Sequence, residues 1–378
     1  MRIGINLLYL LPTVVGGSET YANGLVHALA SVNTDDDYVV FVNRESADWP
    51  LPEGARFNRV RCPVPATSRS WRYSFEQLRL PGLLTRHSVD LVHSLGYVAP
   101  LRAPCPSVVS VLDLNYRTFG EQMPLLKRLA LSFFVGRSIL RADRVITISQ
   151  TAKREIVRVF GVPEDMVVVT PLAPKRRAPD TAVGEPFSAV RERLGIEPPF
   201  MLAFSSTSPN KNIPRLLRAH ARASEVHGVT HQLVLVGHTS EREAASGQGA
   251  ARVCVTGYLD DQALRTVLSR AEMLVFASYY EGFGLPVLEA MEAGVPVVCS
   301  NRASLPEVAG DAAVFFDPLS VEEMASQIAR VALDQSMRDE LRSKGYRNLE
   351  RFSWKETAAR TLDVYREVVS ASSRPARR

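Results

Sequence analysis

Two successive rhythms of short apolar runs and amphipathic stretches, broken once by a proline-rich segment, constrain this chain more than any other feature. In the first half, strand-like runs are expected at Arg2–Leu8, Tyr38–Asn43, Val89–His93, Ser107–Leu112, Val145–Ser149 and Met166–Thr170. Helical patterns at Thr20–Val32, Met123–Arg141 and Gln150–Phe160 lie among them. Parallel strands cannot be joined by tight turns and need a crossover, usually a helix, so this spacing predicts a doubly wound α/β unit. Residues 171–186 then bring prolines at 171, 174, 179 and 186 and the basic run Lys175, Arg176, Arg177, which is linker composition. After it the rhythm restarts, with strands expected at Phe200–Phe204, Gln232–Val236, Val253–Thr256, Met273–Ala277 and Pro296–Cys299 and helices between them. The predicted architecture is two Rossmann-like doubly wound domains facing across an interdomain cleft, over residues 1–174 and 175–352. Residues 353–378 are expected to give a last helix, Trp354–Val369, packing back on the first domain ahead of a disordered tail. At 378 residues and 46% hydrophobic, the chain has apolar material for two cores.

A formal charge of +5 favours phosphate-bearing ligands or an anionic membrane surface as partners. With no dense basic-aromatic cluster, nucleic acid is not an expected partner. The four cysteines (Cys62, Cys105, Cys254, Cys299) are scattered, without a CxxC pair or metal-ligand spacing, and are expected to be buried free thiols of a reducing compartment. No metal site is predicted. The opening Arg2-Ile-Gly-Ile-Asn-Leu-Leu8 has signal-peptide features, but one positive charge and an early Pro12 favour a first buried strand. No apolar run reaches membrane-span length.

The stretch richest in chemistry is Glu281-Gly-Phe-Gly-Leu-Pro-Val-Leu-Glu289, just past a predicted strand. Its glycines free the backbone, and Pro286 suits the first turn of a helix that begins near Leu285. Exposed amides at a helix start attract anions, and carboxylates accept hydrogen bonds from sugar hydroxyls, so the stretch proposes a ligand with both phosphates and hydroxyls. An ordinary loop-helix junction with acidic residues placed for the dipole reads equally well from spacing alone.

Elsewhere, Gly16 and Gly17 before a helix either let backbone approach a ligand or make a plain turn. His93 and Asp113, at the carboxyl ends of predicted strands, fall where open parallel sheets bind ligands, although a lone histidine is more often structural. Asp35, Asp36 and Asp37 read as a solvated turn. In residues 66–88, Arg69, Trp71 and Arg72 are candidates to grip an acidic or lipid-linked acceptor, against the default of a surface helix. The Met123–Arg141 segment is apolar on most sides; burial beneath a neighbouring helix is the expectation, and docking on anionic lipid the alternative.

With these residues in place, nearly the whole chain resembles the retaining nucleotide-sugar glycosyltransferases of family four, which have the GT-B fold. The resemblance rests on Glu281-GFGLPVL-Glu289, with Gly16-Gly17-Ser-Glu, Lys211-Asn-Ile-Pro-Arg-Leu-Leu217, Val236-Gly237, Gly257-Tyr258-Leu259, Ala293-Gly-Val-Pro-Val-Val298 and Ser304-Leu-Pro-Glu307 in the family's order. It implies an acceptor-binding first domain and a donor-binding second domain. Glu289 would take the donor ribose and Glu281 the transferred sugar, with the backbone of Gly282, Phe283, Gly284 and Leu285 holding sugar and diphosphate. Lys211 would neutralise the diphosphate without a metal, Gly16 and Gly17 would close over it, and Gly237 and the backbone of Tyr258 and Leu259 would complete the donor site. Catalysis would fall to Glu281 and Lys211, with Asp113 and His93, by front-face displacement in which the leaving phosphate helps to remove the acceptor proton. Two positions depart from the family pattern: Asn210 where an arginine usually accompanies the lysine, and Leu112 where a histidine usually precedes the aspartate.

The resulting expectation is a metal-independent, cofactor-free retaining hexosyltransferase in the cytoplasm, at the inner face of the plasma membrane. GDP-mannose is the favoured donor and a UDP-sugar the second choice, and the acceptor is a glycan or lipid-linked saccharide. Alternatives are a glycosidase using Glu281 and Glu289 as acid and nucleophile, a two-lobed sugar-binding protein, and a degenerate transferase that only binds the sugar nucleotide.

Overall fold

The computed structural model describes residues 1–12, 16–32, 35–53, 56–118, 124–175, 185–238 and 252–372. Arg176, Arg177 and Pro179 of the expected linker, and the tail beyond residue 372, lie outside these. The chain divides into two compact units, Met1–Ala173 joined by the segment from Ser353, and Pro174–Phe352.

The first unit is built on seven parallel strands in the order β3-β2-β1-β4-β5-β6-β7. They are β1 (Arg2–Leu7), β2 (Asp37–Val42), β3 (Phe57–Arg61), β4 (Leu91–Ser94), β5 (Ser107–Ser110), β6 (Arg144–Thr147) and β7 (Val167–Val169). Past Arg2, every residue of β1 is buried, as expected for a central parallel strand covered on both faces. The second unit repeats the plan with six parallel strands, β10-β9-β8-β11-β12-β13. These are β8 (Phe200–Ser205), β9 (Gln232–Gly237), β10 (Val253–Gly257), β11 (Met273–Phe276), β12 (Val297–Ser300) and β13 (Ala313–Phe316). Its core brings Met201, Leu235 and Val275 of the strands against Leu216, Met324 and Ile328 of the covering helices.

Local chemistry sets the helix ends. Ser149 accepts a hydrogen bond from Ala152 N (3.0 Å) at the start of helix Gln150–Phe160, and Gly161 ends that helix in the left-handed region at φ 65°. Asp260, Ser320 and Asp334 cap later helices in the same way.

The last helix, Trp354–Ser372, belongs to the first unit. There the Gly24 backbone comes so close to the Trp354 indole that a Cβ would lie 2.3 Å from a ring carbon. Two strands, β3 and β13, were absent from the sequence expectation. The Asp35–Asp37 triplet is also only partly a turn, since Asp37 opens β2.

Candidate active site

Open parallel sheets bind ligands beyond the strand carboxyl ends where the order reverses. In the second unit that point lies between β8 and β11. Lys211 sits in the loop after β8 and Glu281 in the loop after β11, and Lys211 Nζ lies 2.7 Å from Glu281 Oε1. Both side chains are largely but not fully buried, with 20% and 17% exposure. The ammonium also stands 4.9 Å from the centre of the buried Phe276 ring. A fixed cation and a carboxylate thus share the mouth of the sheet, one suited to phosphate and the other to hydroxyls.

Two asparagines stitch these loops together. Asn210 Nδ2 donates to Tyr280 O (3.1 Å), and Asn210 O accepts from Tyr279 N (2.8 Å). Asn212, held at φ 58°, donates to Ala277 O (3.2 Å) and Pro318 O (2.8 Å). Asn tolerates the left-handed region better than most residues. Asn210, where the sequence departs from the family pattern, is buried and its side chain is engaged in this stitch to the neighbouring loop.

The Glu281 loop is held from beneath. The buried Ser304 hydroxyl lies 2.8 Å from Glu281 O and 2.7 Å from Phe283 O, two carbonyls that share its proton. Phe283 is buried edge-on to Phe352. Gly284, at φ 113°, starts helix Leu285–Glu292, whose first turn carries Pro286 and no side-chain cap. Glu289 is half-buried on this helix, and its carboxylate has no hydrogen-bond or ion-pair partner among the described residues. Burial raises its pKa, Lys175 opposes the rise, and Asp261 and Glu292 reinforce it. Gly237, at φ 117°, ends β9 so close to β8 that a Cβ would lie 2.2 Å from Ser205 O. At the end of β10, Gly257 takes φ 71°, and just past it Tyr258 is exposed and Leu259 is buried.

In the first unit the order reverses between β1 and β4. Gly16 takes φ 49° and its carbonyl accepts from Glu19 N and Thr20 N, so the pair makes the turn into helix Gly17–Val32. Asp113 is half-buried, and its Oδ1 accepts from Asn115 N (3.0 Å) and Tyr97 OH (3.3 Å); Leu112 beside it is buried.

His93 does not stand at a ligand face. It is fully buried, with Nδ1 2.6 Å from Tyr365 OH and Nε2 2.7 Å from Ser110 Oγ. Burial lowers its pKa to about 3, so the ring is neutral and both nitrogens are engaged. The expected acceptor trio separates as well. Trp71 and Arg69 point outward, but Arg72 is buried over the Tyr73 ring (4.9 Å) with Nε 3.9 Å from Glu76 Oε2.

Glu76 escaped the sequence reading, although its position four residues after Arg72 on one helix is the spacing of a facing ion pair. It is buried at the carboxyl end of β1, with Asn6 Nδ2 3.5 Å from Oε1. Burial raises its pKa to about 7, against the lowering effects of Arg72 and Asn6. Ser304 and Asn212 lie inside the family-like motifs Ser304–Glu307 and Lys211–Leu217, whose pattern does not show the hydrogen bonds they make.

Comparison with known proteins fits this geometry. The family described as "Glycosyl transferases group 1" matches residues 187–348, and "Glycosyl transferase 4-like domain" matches residues 16–173. O-antigen chain mannosyltransferase B of Escherichia coli is 30% identical over 282 residues, covering 73% of this chain and 74% of that protein. MMP alpha-(1->4)-mannosyltransferase of Mycolicibacterium hassiacum is 32% identical over 238 residues, 60% of this chain and 54% of that protein. Among solved structures, sucrose-phosphate synthase of Thermosynechococcus elongatus superposes with a TM-score of 0.73 at 19% identity, covering 98% of this chain and 100% of that one. The chain belongs to the group 1, family-four glycosyltransferases of GT-B fold and is a nucleotide-sugar glycosyltransferase.

Proposed function

We propose that this glycosyltransferase moves a mannosyl unit, with retention, from GDP-mannose to a hydroxyl of a glycan or lipid-linked saccharide, and that a UDP-sugar is the second choice of donor. What carries the reading is the Lys211–Glu281 pair at the switch point, beside a helix start without a side-chain cap. The mannosyl preference follows the names of the two relatives above.

During transfer the bond from the anomeric carbon to the diphosphate breaks, and its electron pair stays on the phosphate oxygen. Lys211 and the amides at the Leu285 helix start, all in the second unit, stabilise that charge as it grows. The acceptor oxygen bonds to the same face of the sugar while its proton passes to the leaving phosphate, so no protein nucleophile is needed. Glu281 holds hydroxyls of the transferred sugar and Glu289 those of the ribose. Because Lys211 supplies the positive charge, transfer is expected to continue in the presence of a chelator. With a lipid-linked acceptor, transfer takes place in the cytoplasm, against the anionic inner face of the plasma membrane.

Purified protein incubated with GDP- and UDP-sugars, with and without EDTA, tests this. The expected result is turnover of GDP-mannose with an anomerically retained product. Lys211→Gln is expected to lower kcat by about 10²–10³-fold, the scale of losing one group aimed at developing charge. A thermal shift with UDP and none with GDP overturns the donor, and an inverted product overturns the mechanism.

A further inference from the structure

Helix Leu125–Arg141 presents an apolar face to solvent. Leu126 is 80% exposed, Leu125 62%, Leu129 and Leu140 56% each, and Phe133 53%. These are five of the thirteen exposed large hydrophobic side chains among the described residues. At 3.6 residues per turn they fall within an arc of about 100° on one side of the helix. Val135, Ser138 and Ile139 lie outside that arc, on the side turned to the core, and are buried, with Ser138 Oγ accepting from Ala99 N (2.9 Å). The helix therefore has two apolar faces, of which the first unit's core uses one. The expectation that a neighbouring helix covers it fails for the outer face, and isolated exposed leucines are ordinary where five clustered on one arc are not.

Charge identifies what the outer face meets. The helix carries Lys127, Arg128, Arg137 and Arg141 and no carboxylate. None of the four makes an ion pair with a described residue. Arg137 stands 5.6 Å from the Phe133 ring centre, so a cation borders the apolar arc. A second copy docking symmetrically through this face would bring two such all-basic helices together, which repulsion disfavours. Crossing a bilayer is also excluded for this element, since no helix among the described residues is long and apolar enough. A helix with leucines and a phenylalanine on one side, bordered by long basic side chains whose heads reach phosphate level, is suited to lie in the plane of an anionic lipid surface.

We infer that helix Leu125–Arg141 is a docking element for anionic bilayers, inserting Leu125, Leu126, Leu129, Phe133 and Leu140 among the acyl chains while its cations meet lipid phosphates. This goes beyond the transfer reaction and is read without catalysis, so it stands or falls separately from the donor and acceptor readings.

The test is co-sedimentation of the full chain with vesicles of phosphatidylcholine alone and of phosphatidylcholine containing phosphatidylglycerol. Binding is expected to the anionic vesicles only, and to fall at least tenfold at high salt. The triple variant Leu126→Ser, Leu129→Ser, Phe133→Ser is expected to abolish it while keeping the wild-type melting temperature, because these side chains are already in water. Lys127→Gln with Arg137→Gln and Arg141→Gln is expected to weaken it and flatten its salt dependence. In a third variant, Phe133→Trp, tryptophan emission is expected to shift to the blue on anionic vesicles. Failure of the wild type to bind them overturns the inference. So does binding unchanged in the serine variant, or a lipid-free dimer that the serine variant converts to monomer.

Discussion

At the scale of single residues, Gly237 and Gly284 show how the same backbone requirement carries different costs. Both take left-handed φ values, 117° and 113°. A Cβ on Gly237 would lie 2.2 Å from the Ser205 carbonyl oxygen, which belongs to the neighbouring strand and cannot move alone. A Cβ on Gly284 would lie 2.7 Å from Leu305 Cδ2, the far end of a side chain that can change rotamer. Gly284→Ala is therefore expected to cost about 1–3 kcal/mol, the range for a non-glycine residue in such a conformation, and Gly237→Ala more than that. Urea denaturation of both variants decides it, and equal costs would mean that the β8–β9 edge gives way as easily as a side chain. Glu281 drew attention by its type beside a glycine turn and a helix start, and Lys211 only through the resemblance to family four. The stitches that fix them were not legible, because Asn210 reaches Tyr280 across 70 residues of sequence and Ser304 reaches Glu281 across 23, leaving no local pattern.

At the scale of elements, strand and helix alternation gave the fold away except at the sheet edges. β3, with sequence FNRVR and no fully buried residue, lacks the continuous apolar run of central strands, whereas β13 (AVFF) is apolar throughout but partly buried over three of its four residues. The terminal helix was legible as a helix, but its dependence on His93 was not, since the two are 272 residues apart. His93 bridges Tyr365 of that helix to Ser110 of β5, and Tyr21 of helix Gly17–Val32 reaches the same hydroxyl at 2.7 Å. This chain of neutral hydrogen bonds joins four elements, β4, β5 and the two helices, inside an apolar setting, where a lost partner is costly. His93→Ala is expected to destabilise the protein by about 2–4 kcal/mol, from a small cavity plus an unpartnered Tyr365 hydroxyl. At a temperature where the variant stays folded, its KM for the donor should match wild type. A large fall in kcat without loss of stability would instead return His93 to the catalytic group.

At the scale of the whole molecule, two buried titrating groups of the first unit set opposing slopes of stability against pH. Glu76 has its pKa raised from 4.5 to about 7, so between those values the unfolded chain loses its proton while the native one keeps it. Stability therefore falls as pH rises through that window, by about 3 kcal/mol in all at 1.36 kcal/mol per unit. His93 has its pKa lowered from 6.5 to about 3, so below 6.5 the unfolded chain takes up a proton that the native ring refuses. Its contribution is complete above 6.5 and is lost as pH falls towards 3, by about 5 kcal/mol on the same conversion. Between 4.5 and 6.5 the two slopes have opposite sign and similar size, so together they leave stability nearly level. Removing either group should tilt this plateau. In Glu76→Gln only the histidine slope remains, and the urea midpoint is expected to climb with pH from 4.5 to 6.5. In His93→Gln only the carboxyl slope remains, and the midpoint is expected to decline from 4.5 to 7. The sign is the decisive quantity, because a general loss of packing lowers the midpoint at every pH without changing its slope. If Arg72 instead keeps Glu76 ionised throughout, Glu76→Gln will leave the slope of the wild type unaltered and lower the midpoint uniformly, as removing one partner of a buried ion pair does.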